Sequence, residues 1–181
     1  MSKSEFDAFV KRQQAEQRAS DPKQRLDEWF GYLDALYKDI TSYLQTYIDS
    51  SAAQIEYRNV TLNEDFAGDY VARQMILKIG SATVTFTPVG TMLIGSKGRV
   101  DVQGPSGTAR LVLVDKLATT ARSLIRVTIR SADDPPLPPP SPEAITQVEW
   151  AWKIATPPPE MKFIELTQES FFNIILSVTN A

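Results

Sequence analysis

Gln74-Met-Ile-Leu-Lys-Ile-Gly-Ser-Ala-Thr-Val-Thr-Phe-Thr87 decides the fold, because turn chemistry and apolar pattern agree on one register. Gly80-Ser81 is a two-residue connection with glycine first. That suits a type II′ turn, whose first central residue needs positive φ. Folding the chain there sets Ile79 against Ala82, Leu77 against Val84 and Met75 against Phe86, all on one face of the ribbon. The other face pairs Lys78 with Thr83, Ile76 with Thr85 and Gln74 with Thr87. A one-residue slip would turn the apolar set to solvent, so the register is specified.

Toward the N-terminus the grammar changes from period two to period 3.6. Ile55, Tyr57 and Asn59 still alternate with Glu56, Arg58 and Val60. Before them, Leu26, Trp29, Phe30, Leu33, Leu36, Tyr37, Ile40, Tyr43, Leu44, Tyr47 and Ile48 recur at spacings of three and four, one helical stripe. Asp21-Pro22 opens that helix: the aspartate oxygen caps an orphan amide and proline has no amide to orphan. The helix is expected over 22–50, and at ~1.5 Å per residue its ~42 Å length crosses the whole molecule. Ser4 to Ala19 reads as a shorter helix or arm, with Phe6, Phe9 and Val10 as its apolar patch.

Toward the C-terminus, turns at Gly95-Ser96-Lys97-Gly98 and Gly104-Pro105-Ser106-Gly107 separate strands expected at 91–94, 99–103 and 109–115. Leu111-Val-Leu-Val114 is apolar on both faces, as a central, doubly covered strand is. Ser123 to Arg130 and Thr146 to Ile154 alternate as strands, separated by a segment with six prolines between Pro135 and Pro142. Its ordinary reading is a stiff spacer; a polyproline II segment that docks an aromatic groove is the functional one. A short strand at 162–166 comes after Pro157-Pro158-Pro159, and Thr167 caps a last helix carrying Phe171, Phe172, Ile174, Ile175, Leu176 and Val178. The expected fold is α+β: a long helix, preceded by a short one, packed on an antiparallel meander of about seven strands and closed by a C-terminal helix. Residues 1–20 form an arm, and 21–181 a single domain with its sheet over 55–166 and its last helix over 167–179.

Composition narrows the chemistry. The 181 residues, 43% of them hydrophobic, suffice for a core without staples, and they include no cysteine and no histidine. Disulfides, thiolate nucleophiles, Ser-His-Asp triads and zinc sites built on Cys or His are therefore excluded. The N-terminus has no apolar run of signal-peptide length and no window approaches a membrane span, which points to a cytoplasmic protein.

Three patterns imitate functional motifs. Gly90 to Lys97 resembles a P-loop superficially, but its loop is apolar and its serine precedes the lysine, so it reads as a strand ending in a turn. Glu160-Met-Lys162, with Asp133 and Asp134 upstream, has the carboxylate and lysine spacing of metal-dependent nucleases; its proline-rich setting favours an ordinary loop. Asn63, Glu64, Asp65 and Asp69 offer oxygen ligands around Gly68, without the spacing of a calcium loop. No cofactor and no metal is expected.

Charge is segregated: residues 55–132 carry 10 basic and 6 acidic groups, and residues 133–181 carry 2 and 7. The ordinary reading is mutual neutralisation. The sharper one is a basic face made by Arg122, Arg126 and Arg130 with Arg99 and Arg110, able to meet a protein partner or a polyanion. Trp150 and Trp152 share a strand face, and with Trp29 and Phe86 they are read either as core or as the lining of a cavity between helix and curved sheet. The leading expectation is a non-catalytic interaction protein, an adaptor, accessory subunit or inhibitor, bound to another protein or to itself. A small-ligand carrier and a nucleic-acid accessory protein are the alternatives.

Overall fold

The computed structural model of the chain describes residues 21–91, 95–124 and 148–180, together with Asp7, which is helical. Helix α1 spans Pro22–Asp49, with Asp21 at its N-cap accepting the Lys23 amide at 3.0 Å and proline in its first turn. Seven strands come next: β1 (Ala53–Glu64), β2 (Gly68–Ile79), β3 (Ala82–Gly90), β4 (Ser96–Gln103), β5 (Thr108–Asp115), β6 (Trp150–Ala155) and β7 (Phe163–Glu165). Helix α2 (Gln168–Thr179) closes the described chain, and Thr167 and Ser170 form a reciprocal capping box at its start. The strands lie in one sheet in sequence order, every neighbour antiparallel. The fold is the expected α+β meander.

The central hairpin has the register read from its turn: Met75↔Phe86, Ile76↔Thr85, Leu77↔Val84, Lys78↔Thr83 and Ile79↔Ala82. Gly80 stands at φ +57° while Ser81 is not at positive φ, the sign pattern of a type II′ turn. Both helices cover one sheet face. Trp29, Leu33, Leu36, Tyr37, Ile40 and Leu44 of α1 meet Phe171, Ile174, Ile175 and Val178 of α2 over Met75, Leu77, Val84, Phe86, Val100, Val102 and Leu111. Gly98 lets the helix come close: a Cβ there would stand 2.1 Å from the Trp29 ring. Strand β5 is buried on both faces, as its apolar run implies. A smaller cluster of Val112, Val114, Ala118, Ala155 and Phe163 covers its reverse, with Ala121, Leu124 and Met161 against it.

Three expectations are corrected. Ser123 does not open a strand: residues 121–124 form a single 3-10 turn, because the Ser123 hydroxyl and amide both bond the Thr120 carbonyl, at 2.6 and 3.0 Å. The remainder of that alternating run, 125–130, lies outside the described residues, as do the six-proline segment and all of the N-terminal arm but Asp7. Residues 96–98 are strand rather than turn: β4 begins at Ser96, and the irregularity between Ser96 and Gly98 is a bulge against β5. Thr91 belongs to no strand; β3 ends at Gly90 with φ +131°, which turns Thr91 toward Glu64.

The β1–β2 hairpin also behaves unexpectedly. Its pairing runs unbroken from Ala53↔Ile79 to Glu64↔Gly68. Yet at its root Ile55, Met75 and Leu77 face the core, while at its tip Val60, Leu62, Tyr70 and Ala72 do. A free two-stranded ribbon twists more than a sheet, and that twist exchanges its inner side. The ribbon is free because β2 pairs with β3 only from Met75 to Ile79.

Candidate functional site

Where β2 leaves β3, polar side chains fill the split. The Tyr37 hydroxyl, carried in by α1, donates to the Arg73 carbonyl at 2.6 Å, with the Phe86 carbonyl 3.4 Å away. Gln74 Nε2 donates to Thr87 Oγ1 at 2.6 Å, so this cross-strand pair persists after the backbone pairing ends. Farther along, Glu64 is buried at 7% exposure and accepts hydrogen bonds from the Tyr70 hydroxyl, the Thr91 amide (2.7 Å) and the Thr91 hydroxyl (3.0 Å). A buried carboxylate is tolerable only with such donors around it. A Cβ at residue 90 would stand 2.8 Å from the carboxylate, so glycine is required there twice over, for space and for positive φ.

Burial pushes the Tyr37 hydroxyl well above its ordinary ionisation range. Burial does the same to Tyr70, reinforced by its hydrogen bond to Glu64 and by that group's charge. Both therefore remain donors. Trp29 Nε1, in the same cluster, is buried without a hydrogen-bond partner. The cluster is a seal. Its carboxylate is engaged by the Tyr70 hydroxyl and by the amide and hydroxyl of Thr91.

Beside the seal lies a cleft of about 220 Å³ lined by Arg25, Glu28, Trp29, Tyr32, Thr91, Ser96 and Lys97. Lys97 Nζ pairs with Glu28 at 3.0 Å and sits 5.1 Å from the Trp150 ring centre and 6.0 Å from that of Tyr32. Arg25 stacks over Phe66 at 4.0 Å. The cleft's cations are thus held by the protein's own carboxylate and rings.

The larger concavity is elsewhere. A groove of about 540 Å³ separates α2 from β5, β6 and β7. Ile154, Ile164, Ile174, Ala155, Pro157 and Pro158 give it an apolar lining; Arg110, Ser170, Asn173 and Ser177 add polar groups. Ile164 is 48% exposed, and Leu176, one residue from Ser177 on the solvent side of α2, is 55% exposed.

Of the arginines singled out from sequence, the two whose side chains are described lie on different strands, Arg99 on β4 and Arg110 on β5. Arg99 is held by Asp101 on its own strand through two bonds of 2.6 Å, a pairing that keeps its guanidinium protonated more firmly than usual. Arg110 lies on β5 at the groove and has no ion-pair partner among the described residues. Arg122 lies in the 3-10 turn, its side chain outside the described residues; Arg126 and Arg130 lie wholly outside them. Among the five ion pairs of the described residues, only Lys116–Glu149 joins the basic middle to the acidic C-terminal part. The other four tie basic residues to α1 or to the sheet itself.

Of the aromatic quartet, Trp29 and Phe86 are buried in the core, and Trp29 also lines the small cleft. Trp29 and Trp152 meet with ring centres 6.0 Å apart, Trp152 Nε1 donates to the Tyr32 carbonyl at 2.9 Å, and Phe86 stacks on Phe171 at 6.2 Å in the middle of the core. Trp150 lies on the Lys97 side. Among the described residues considered for a metal, none converge as a group of three acidic side chains. Asn63 donates to Asp69 at 2.6 Å while Glu64 turns inward, and Asp133 and Asp134 lie outside the described residues.

Two roles are not apparent from the sequence patterns above, that of Glu64, named there only as an oxygen ligand, and that of Lys153. Glu64 continues the Val60, Leu62 alternation on the apolar side of β1, and that placement is its signal. Lys153, at 3% exposure, donates to the Lys116 and Ala118 carbonyls at 2.6 and 2.7 Å and pins the segment that covers β5. No helix among the described residues is long and apolar enough to cross a membrane. Comparison with protein-family models, with curated proteins and with solved structures finds no match for the chain.

Proposed function

We propose that the chain is a non-catalytic interaction module, of adaptor, accessory-subunit or inhibitor type, that takes an apolar segment of a partner protein into the groove between α2 and β6–β7. The observation that supports this reading is the groove itself, about 540 Å³, whose mostly apolar lining includes Ile164, an aliphatic side chain that stands about half in solvent. Exposed aliphatic groups beside an apolar concavity gain most from a partner that removes both from water. Arg110 at the groove suits a partner segment with a carboxylate beside its apolar residues.

The test is co-purification from the source with three forms of the full chain: wild type, the groove variant Ile164→Asp, and Leu117→Asp. Leu117 is 86% exposed and does not line the groove, so its variant is the control. A partner kept by wild type and by Leu117→Asp but lost by the groove variant supports the reading. A partner that survives the groove variant, or a chain that retains nothing, overturns it.

A second reading, a small-ligand carrier, draws on the groove's volume, which lies within the roughly 300–1,000 Å³ typical of small-molecule sites. Native mass spectrometry separates the two: a ligand of defined mass on the purified chain favours the carrier. The nucleic-acid reading draws no support from Arg99, whose guanidinium is already taken by Asp101.

A further inference from the structure

Strand β1 ends the sheet, and among the described residues nothing pairs with its outer edge over twelve residues. Long exposed edges invite strand addition. From the sequence of this edge we infer that the strand is built to pair with β1 of a second copy of the chain, antiparallel about a two-fold axis through Tyr57.

The geometry of antiparallel pairing restricts the choice. Along a strand, N–H and C=O groups alternate in direction, so two identical strands can pair only residues an even number apart, and the axis must pass through a residue. An axis through residue 56 sets Glu56 against its own copy, and one through residue 58 does the same to Arg58. The axis through Tyr57 instead sets Glu56 opposite Arg58 of the second copy, and Arg58 opposite its Glu56. Two opposite-charge pairs then form on one sheet face, where like charges would repel. The existing contacts prepare this arrangement. Glu56 is already bonded to Lys78 of β2 at 2.6 Å, so the new pair extends a ladder of alternating sign. Arg58 has the neutral Gln74 as its β2 neighbour and no ion-pair partner among the described residues.

On the opposite face the two Tyr57 rings meet across the axis. Tyr57 is 46% exposed; it packs on Tyr37 with ring centres 5.7 Å apart and lies under the Arg73 guanidinium at 5.2 Å. A hollow of about 430 Å³ between α1 and the ribbon opens beside it, giving the second ring a recess to enter. The inference does not depend on the groove at α2, which is on the other side of the sheet order.

Sedimentation velocity on the full chain over a concentration series tests it. Wild type should dimerise. Glu56→Arg alone and Arg58→Glu alone should each weaken the dimer by about tenfold or more, because each sets like charges across the axis. An equimolar mixture of the two variants should recover a one-to-one dimer, since a chain with arginine at both positions then faces a chain with glutamate at both. Recovery in the mixture also shows that both variants are folded. A wild-type chain that stays monomeric at all concentrations, a dimer indifferent to either substitution, or variants that do not reassociate would each overturn the inference, the first in favour of a foreign strand on this edge.

Discussion

The middle of the sheet and the split between β2 and β3 solve the same problem with opposite chemistry. At β5 the backbone is paired on both sides and both faces are apolar, with Leu111 toward the helices, Val112 and Val114 toward the smaller cluster, and Leu113 fully buried. At the split, pairing stops at Met75↔Phe86; Tyr37 takes up the Arg73 carbonyl, Gln74 bonds Thr87 side chain to side chain, and Glu64 accepts from Tyr70 and Thr91. Apolar packing is non-directional, so the middle asks for volume. The split asks for particular donors and acceptors at particular distances. The middle should therefore carry the larger share of stability and tolerate conservative exchange, while the split should contribute less and be more exacting.

The largest expected effect is in the middle. Leu111→Ala empties a fully buried site and should cost about 2–5 kcal/mol in a denaturant titration. Leu111→Met keeps the volume and should cost less than about 1.5 kcal/mol. If the two variants lost equal stability, the middle would not be governed by volume and the contrast would fail.

Next is Glu64→Ala, which strands the Thr91 amide and the Tyr70 hydroxyl in a buried place and should cost about 1–3 kcal/mol. Its signature is local. Amide hydrogen exchange should accelerate at Thr91 and in residues 70–74, and stay at the global rate in residues 111–113. A uniform acceleration would mean that the split and the middle open as one unit.

Smaller is Tyr37→Phe, which removes the wedge hydroxyl from the Arg73 carbonyl and should cost about 1 kcal/mol. Alkaline pH probes the same region in the unaltered chain. Below about pH 10 both folded and unfolded states keep their tyrosines protonated, and stability is unaffected. Above it the unfolded chain ionises Tyr37 and Tyr70 while the folded chain retains their protons, so stability falls as pH rises. Denaturant midpoints between about pH 9 and 11 should show this decline, and Tyr37→Phe should make it shallower. The smallest effect is Asp34→Ala. Its ion pair with Arg73 closes the same region from outside, but both side chains are more than half exposed, and less than about 0.5 kcal/mol is expected.

Sequence alone determined the features that near neighbours along the chain can settle between themselves. The Gly80-Ser81 turn set the hairpin register because a two-residue loop and period-two alternation leave one solution. Asp21-Pro22 and Thr167 set the helix starts because caps act within three residues. The double burial of β5 was legible in Leu111 to Val114 because a strand apolar on both faces needs two covers. Tertiary structure alone decided the features that depend on residues far apart in the chain. The split between β2 and β3 arises where the twist of one ribbon stops matching the next strand, and no local pattern marks that point. Glu64 meets Thr91 across 27 residues, and the groove brings residues 108–110 beside 170–177. Such meetings are set by sheet twist and helix placement, which sum over the whole chain and leave only faint traces in any short stretch of it.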